Sequence, residues 1–170
     1  LVQAKGVDGR GIEISREGVN ACVREGLSVV QGDADSDLVD YPDGAFDMVV
    51  LSQTLQATHN PRQVLLQLLR IGRQAIVSFP NFAYWRCRLQ LAFGGCMPVT
   101  GSLDNPWYAT PNIHFCTIRD FTRLCGDEGI TIERSYALKN DGSKGGLSGN
   151  ALLANLLGDQ GVFLLKRRTP

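Results

Sequence analysis

An α/β fold with a mainly parallel sheet and helices on both faces is what this sequence predicts, and three observations carry the prediction. Short apolar runs alternate with amphipathic stretches along most of the chain; two of the early runs end in an acid, at Glu13 and at Asp33; and two late runs are joined without a long helix. Strands separated by helices are the pattern of parallel sheets, because a parallel connection needs a crossover, whereas the late pair suits an antiparallel last strand.

The first run, Gly11 to Ser15, reads as a strand ending in Glu13. Ser15 then caps a helix on which Val19, Cys22 and Val23 share a face, and Gly26 closes it. Leu27 to Gln31 and Phe46 to Leu51 read as buried strands separated by the Asp-rich turn 33–37. Asn60 and Pro61 open a helix with the apolar stripe Val64, Leu65, Leu68 and Leu69, and Arg70 and Arg73 suit its carboxyl end. Ala75 to Phe79 is the next strand, stopped by Pro80. Phe82 to Phe93 reads as one amphipathic helix carrying Phe82, Trp85, Leu89 and Phe93 on one side. The segment from Gly94 to Thr117 is predicted to be irregular, yet it carries Trp107, Tyr108, His114 and Phe115. Aromatic residues in a long loop point to a lid or a binding surface, so residues 82–117 are expected to form a lid or partner-binding segment. Thr117 and Asp120 resemble a capping box for a helix that ends near Gly129. Ile130 to Leu138 and Val162 to Lys166 are the late strands, with the glycine-rich stretch 140–149 and a short apolar helix around Leu152 to Leu157 between them.

Composition narrows the function classes. A chain of 170 residues with 44% hydrophobic and 20% charged residues suits a single domain over 1–170. With 17 basic and 17 acidic residues, it offers no broad field to collect nucleic acid or an anionic membrane. No apolar run approaches the roughly 20 residues that span a bilayer, and the first five residues lack the layout of a signal peptide, so a cytoplasmic protein is expected. The five cysteines form no C-x-x-C pair and the histidines number two, so neither a disulfide framework nor a metal site is expected.

The candidate site residues lie at strand ends. In doubly wound α/β proteins an acid at the carboxyl end of a strand grips a ribose or an adenine, which points to an adenosine-containing cofactor. Glu13, followed by Ile14, is placed to accept bonds from both ribose hydroxyls; its bland alternative is a solvated acid at a helix start. Asp33 with the backbone of Ala34 is placed to read an adenine edge, or is an ordinary turn acid. Ser52 and Gln53 end a strand where the remainder of such a cofactor is expected, or Gln53 satisfies loop backbone. His59 and His114 are weak candidates for a catalytic base and are equally read as structural histidines. Asn81, Trp85, Tyr108 and His114 are candidates for a substrate or partner face, with core and rim packing as the alternative for the aromatic pair. The triad Gly6, Gly9 and Gly11 precedes a strand instead of following one, so it is not read as a phosphate-binding loop.

The order of elements resembles the sheet of class I methyltransferases, entered at its second strand. A central strand and the glycine-rich turn that cradles the cofactor are therefore expected upstream of residue 1. Several blocks together resemble the MetW family of bacterial methionine biosynthesis, over most of residues 7–130. They are Gly11-Ile12-Glu13-Ile14, Phe46-Asp47-Met48-Val49-Val50-Leu51-Ser52-Gln53-Thr54-Leu55-Gln56-Ala57, Val77-Ser78-Phe79-Pro80-Asn81-Phe82, Trp85-Arg86-Cys87-Arg88, and Trp107-Tyr108-Ala109-Thr110-Pro111-Asn112-Ile113-His114-Phe115-Cys116-Thr117. The last is the most specific, since no general α/β pattern requires it. The resemblance implies a class I S-adenosylmethionine methyltransferase-like fold that binds S-adenosylmethionine or S-adenosylhomocysteine. It also implies a role beside a homoserine O-acyltransferase as its protein partner. The alternative is an autonomous S-adenosylmethionine-dependent methyltransferase acting on a small molecule; a nicotinamide-dependent oxidoreductase shares only the strand-end acid.

Overall fold

The computed structural model describes residues 6–139, 144–145 and 151–167. Most of the glycine-rich stretch 140–149 therefore lies outside the described residues. The chain forms two compact units, Leu1–Tyr41 and Pro42–Pro170.

The first unit is a βαβ element. Strand β1 (Arg10–Glu13) and strand β2 (Ser28–Gln31) pair in parallel, with Glu13 opposite Gln31, and helix α1 (Arg16–Arg24) makes the crossover. Ser15 caps α1 as its type predicts, its Oγ accepting from the Gly18 amide at 2.9 Å. Parallel pairing brings both strands' carboxyl ends to the same side, and the Gly32 amide extends the ladder by donating to the Glu13 carbonyl at 3.1 Å.

The second unit is built on a five-stranded sheet. In spatial order it runs β3 (Phe46–Ser52), β4 (Gly72–Pro80), β7 (Gln160–Arg167), β5 (Ile130–Leu138) and β6 (Lys144–Gly145). Strands β3 and β4 pair in parallel, and β7 runs antiparallel to both β4 and β5. It follows that β3, β4 and β5 share one direction and the last strand is inserted against it. The antiparallel last strand is the one the sequence predicts, but the sheet is mixed rather than mainly parallel: among the described residues β3 and β4 make its one parallel pair, and β4/β7, β7/β5 and β5/β6 are antiparallel. Met48 and Val50 of β3 are exposed at the edge of this sheet.

Helix α2 (Pro61–Ile71) starts where Asn60 and Pro61 predict; Asn60 Oδ1 accepts from the Gln63 amide at 3.2 Å. Its stripe Val64, Leu65, Leu68 and Leu69 is buried. No loop separates α2 from β4, because Gly72 makes the turn in close contact with β3: a Cβ there would lie 2.5 Å from a Val49 methyl. On the sheet, Phe79, Phe121 and Phe163 form one aromatic cluster with ring centroids 4.7 to 5.6 Å apart. Phe121 comes from helix α4 (Ile118–Asp127), capped by Thr117, whose Oγ1 accepts from the Asp120 amide at 3.1 Å. Full burial of such side chains contributes about 1.5 to 3 kcal/mol each. A last helix, α5 (Ala151–Leu157), falls where the short apolar run predicts it.

One element departs from expectation. The segment 82–93 is not one amphipathic helix: α3 spans Trp85–Leu89 only and continues as a π-helical turn over Gln90–Gly94. Two sets of bonds account for this. The Phe82 amide donates to the Cys116 carbonyl at 3.0 Å, which holds that end outside the helix. The Gln90 side chain exchanges two bonds with the Val99 backbone, at 2.9 and 3.0 Å, where the ladder widens.

Candidate functional site

In the first unit, Glu13 and the turn after β2 stand at the carboxyl ends of two paired parallel strands. Glu13 is half-buried. Its Oε1 accepts from the Ser15 amide at 2.9 Å, and its other oxygen meets no donor among the described residues. The side chain lies over the first turn of α1, a position open only because residue 18 is glycine: a Cβ there would sit 2.7 Å from the Glu13 Cγ and Cδ. A half-buried carboxylate in a fixed pose with one oxygen in hand fits a hydroxyl-bearing ligand. Ile14 is exposed beside it.

Asp33 is part of a tight turn. Its Oδ1 accepts from the Asp35 amide at 2.9 Å, and its own amide donates to Asp37 Oδ2 at 2.8 Å. Asp37 was visible in the sequence only as one acid among several. Bonds from the Ser36 hydroxyl and the Asp33 backbone hold its carboxyl below the usual carboxylate range. The second oxygen of Asp33 meets no donor among the described residues, and the neighbouring Ala34 is half-buried, so the turn reading and the adenine reading are compatible here.

In the second unit, β3 ends in a turn under strain. Gln53 is the one described non-glycine residue with a positive φ, +50°. Its amide donates to the Ser78 carbonyl at 2.9 Å and to the Ser78 Oγ at 3.2 Å, while the Ser52 and Ser78 hydroxyls lie 3.3 Å apart. The Ser52 carbonyl accepts from Thr54 Oγ1 at 2.9 Å and the Gln53 carbonyl from Gln56 Nε2 at 2.7 Å. Ser52 and Gln53 are themselves exposed.

Gln56 belongs to the short 3-10 turn Leu55–Ala57 and is 5% exposed. Sequence reasoning passed it over, although it sits three residues beyond Gln53 in the same block. Its carbonyl accepts from both the Ile113 and the His114 amides, at 3.0 Å each, so the aromatic segment is bonded directly to the turn after β3. His114 is thereby brought to the Ser52–Gln53 turn through its backbone. His59 is exposed and follows the same 3-10 turn.

Asn81 is turned into the protein interior. It is 1% exposed; Nδ2 donates to the Asn155 and Gly158 carbonyls at 2.8 Å each, and Oδ1 accepts from the Ala83 and Ile118 amides at 3.2 Å each. All four hydrogen-bonding positions of its amide are filled by the chain's own backbone, so it pins α4 and α5 to the end of β4. Trp85 is partly exposed, with the Arg86 guanidinium 5.4 Å from its ring centroid. Trp107 and Tyr108 are 71% and 75% exposed and meet edge to face at 5.8 Å. Phe115 packs on Phe82 at 4.6 Å and holds the segment in place.

Three of the thiols are poorly suited to act as nucleophiles. Burial pushes the thiol of Cys125 up to about 12; burial, with Asp120 and Cys125 adding to it, does the same for Cys116, and burial with Asp159 raises Cys87 to about 11. All three stay protonated near neutrality. Among the described residues, no group of three histidine, cysteine or acidic side chains is arranged to hold a metal ion.

The sheet order, with its reversed strand inserted between β4 and β5, and the two strand ends bearing acids, define a class I methyltransferase-like fold. Solved structures agree. A methyltransferase of Thermotoga maritima described as S-adenosylmethionine-dependent and a possible histamine N-methyltransferase superposes with a TM-score of 0.66 at 14% identity, over 98% of this chain and 76% of that one. An S-adenosylmethionine-dependent methyltransferase of Archaeoglobus fulgidus does so with 0.65 at 13% identity, over 98% and 79%. The sequence profile of the methionine biosynthesis protein MetW matches residues 1–165, and the chain belongs to the MetW family. A bifunctional methionine biosynthesis protein MetXA/MetW of Rhodopirellula baltica is 39% identical over 124 residues, 72% of this chain. The chain spans 20% of that relative's length.

Proposed function

We propose that the protein is an S-adenosylmethionine-binding accessory subunit that forms a complex with a homoserine O-acyltransferase and supports its activity in methionine biosynthesis. The observation that carries this reading is the bifunctional relative, whose name joins MetXA and MetW in one chain. Two functions joined in one chain act at high effective concentration, and proteins that benefit from fusion benefit as separate partners from a complex. In the first unit, Glu13 and Asp33, with Ile14 and Ala34 beside them, suit the hydroxyls and base of an adenosine; in the second unit, taken by itself, the Ser52–Gln53 turn suits the amino-acid end of an S-adenosyl ligand. Trp85, Tyr108 and His114 belong to the partner face.

The test is homoserine acylation by the acyltransferase of the same organism, with and without the full-length protein, and with S-adenosylmethionine as a third condition. Stimulation together with a complex on a sizing column is the expected result. No stimulation and no complex would overturn the accessory role and make the autonomous methyltransferase the leading reading. On the cofactor side, Glu13→Ala should weaken S-adenosylmethionine binding by roughly 1.5 to 3 kcal/mol, the loss of a hydrogen bond to a charged group. Unchanged affinity by calorimetry would remove Glu13 from the site.

A further inference from the structure

We propose that Gln56 is a positioning residue that couples the turn ending β3 to the aromatic segment, so that an S-adenosyl ligand at the turn and a partner on the segment change one another's affinity. The inference rests on the proposed function for what binds at each end, and on the geometry of Gln56 for the link between them.

Gln56 acts on both sides at once. Its side chain reaches back through Nε2 to the Gln53 carbonyl at 2.7 Å, and its backbone carbonyl takes the amides of Ile113 and His114 at 3.0 Å each. Both contacts issue from one short 3-10 turn, so a shift of Gln53 is passed to residues 113–114 without a flexible linker between them. Gln53 is held at a φ of +50°, a conformation that a residue with a side chain leaves readily once its bonds are lost. A ligand that favours or opposes that conformation therefore pulls on Gln56.

The side chain is also held at one end only. Gln56 Oε1 is buried and accepts no hydrogen bond among the described residues. A buried amide oxygen without a donor is unfavourable, and in a side chain kept for packing alone a methionine or leucine would avoid it. What the amide provides in return is the bond to the Gln53 carbonyl. Coupling between two sites needs an element with two arrangements that both ligands bias. In this proposal the Ser52–Ala57 turn is that element: Gln56 is bonded to Gln53 in the arrangement seen here, and the second arrangement would release it.

The experiment measures the Kd of the complex between the full-length protein and the acyltransferase, with and without saturating S-adenosylhomocysteine, for wild type and for Gln56→Met. Methionine keeps the length of the side chain and removes both polar atoms. In the wild type the ligand is expected to change the Kd by about fivefold or more, the usual lower range of allosteric coupling. In Gln56→Met the two Kd values should agree within about twofold, while the variant still binds each ligand alone. That last pattern is one a loss of general stability would not produce. Equal coupling in wild type and variant, or none in the wild type, would overturn the proposal. A second reading needs no variant: S-adenosylhomocysteine should alter hydrogen exchange of the Ile113 and His114 amides, and unchanged exchange there would overturn it too. A wild type that binds neither ligand nor partner would instead sink the proposed function, and this inference with it.

Discussion

Asn81 follows Pro80 at the end of β4, where the fold class offers side chains to a ligand, yet the structure turns it inward. Its amide closes two backbone carbonyls and two backbone amides that would otherwise be buried without partners. Asn81→Ala should therefore lower the unfolding free energy by about 3 kcal/mol or more, since each stranded group costs about 1 to 3 kcal/mol. Urea denaturation measures it, and a loss below about 1 kcal/mol would return Asn81 to the candidate surface. The buried thiols make a second prediction at this scale. Their folded pKa values of about 11 to 12 lie above the ordinary value of 9.0, so the unfolded chain loses protons first as the pH rises. Their contribution is complete below pH 9 and declines between 9.0 and about 12. Each such thiol steepens the fall in stability by up to about 1.4 kcal/mol per pH unit. Denaturation under reducing conditions from pH 8 to about 10.5 should show a shallower fall for Cys125→Ala than for wild type; parallel curves would contradict the raised value.

At the scale of elements, the segment that differs most from its sequence expectation also leaves large apolar side chains in water. Trp85, Leu89 and Phe93 recur at a spacing of four, the last of them 85% exposed, although the helix changes to a π-turn beneath them. An apolar row on a short helix, with Trp107 and Tyr108 also exposed, suits a protein partner better than solvent. Phe93→Ser should therefore leave the melting temperature nearly unchanged, because a mostly exposed side chain contributes within about 0.5 kcal/mol to stability, and should reduce co-elution with the acyltransferase. Undiminished co-elution would move the interface off α3. Periodicity gave the face of this segment but not its backbone, since the bonds that end the helix come from Cys116 and Val99, far along the chain. Elsewhere local signals were sufficient. Ser15, Asn60 with Pro61, and Thr117 each cap the helix that they precede in sequence. The candidate site divides in the same way. Glu13 and Asp33 were legible because a strand end fixes where they stand. Asn81 and Gln56 were not, because their roles are set by Asn155, Gly158, Ile113 and His114, which only folding brings to them.

At the scale of the whole molecule, charge and apolar exposure together determine how the protein meets a partner. Its formal net charge is zero, so long-range steering toward an acidic or a basic surface is weak, while residues 85–115 expose several large aromatic and aliphatic side chains. A complex formed through that surface derives its affinity from desolvation, with a negative heat capacity change and little dependence on ionic strength. Raising the salt from about 0.1 M to about 1 M shortens the Debye length from about 10 Å to about 3 Å. Over that range the Kd for the acyltransferase should change by less than about threefold, measured by calorimetry together with the heat capacity. A weakening of tenfold or more would instead assign the contact to charged groups, and Arg86 and Arg88 on α3 would be the first residues to exchange, because they stand on the same helix as the apolar row.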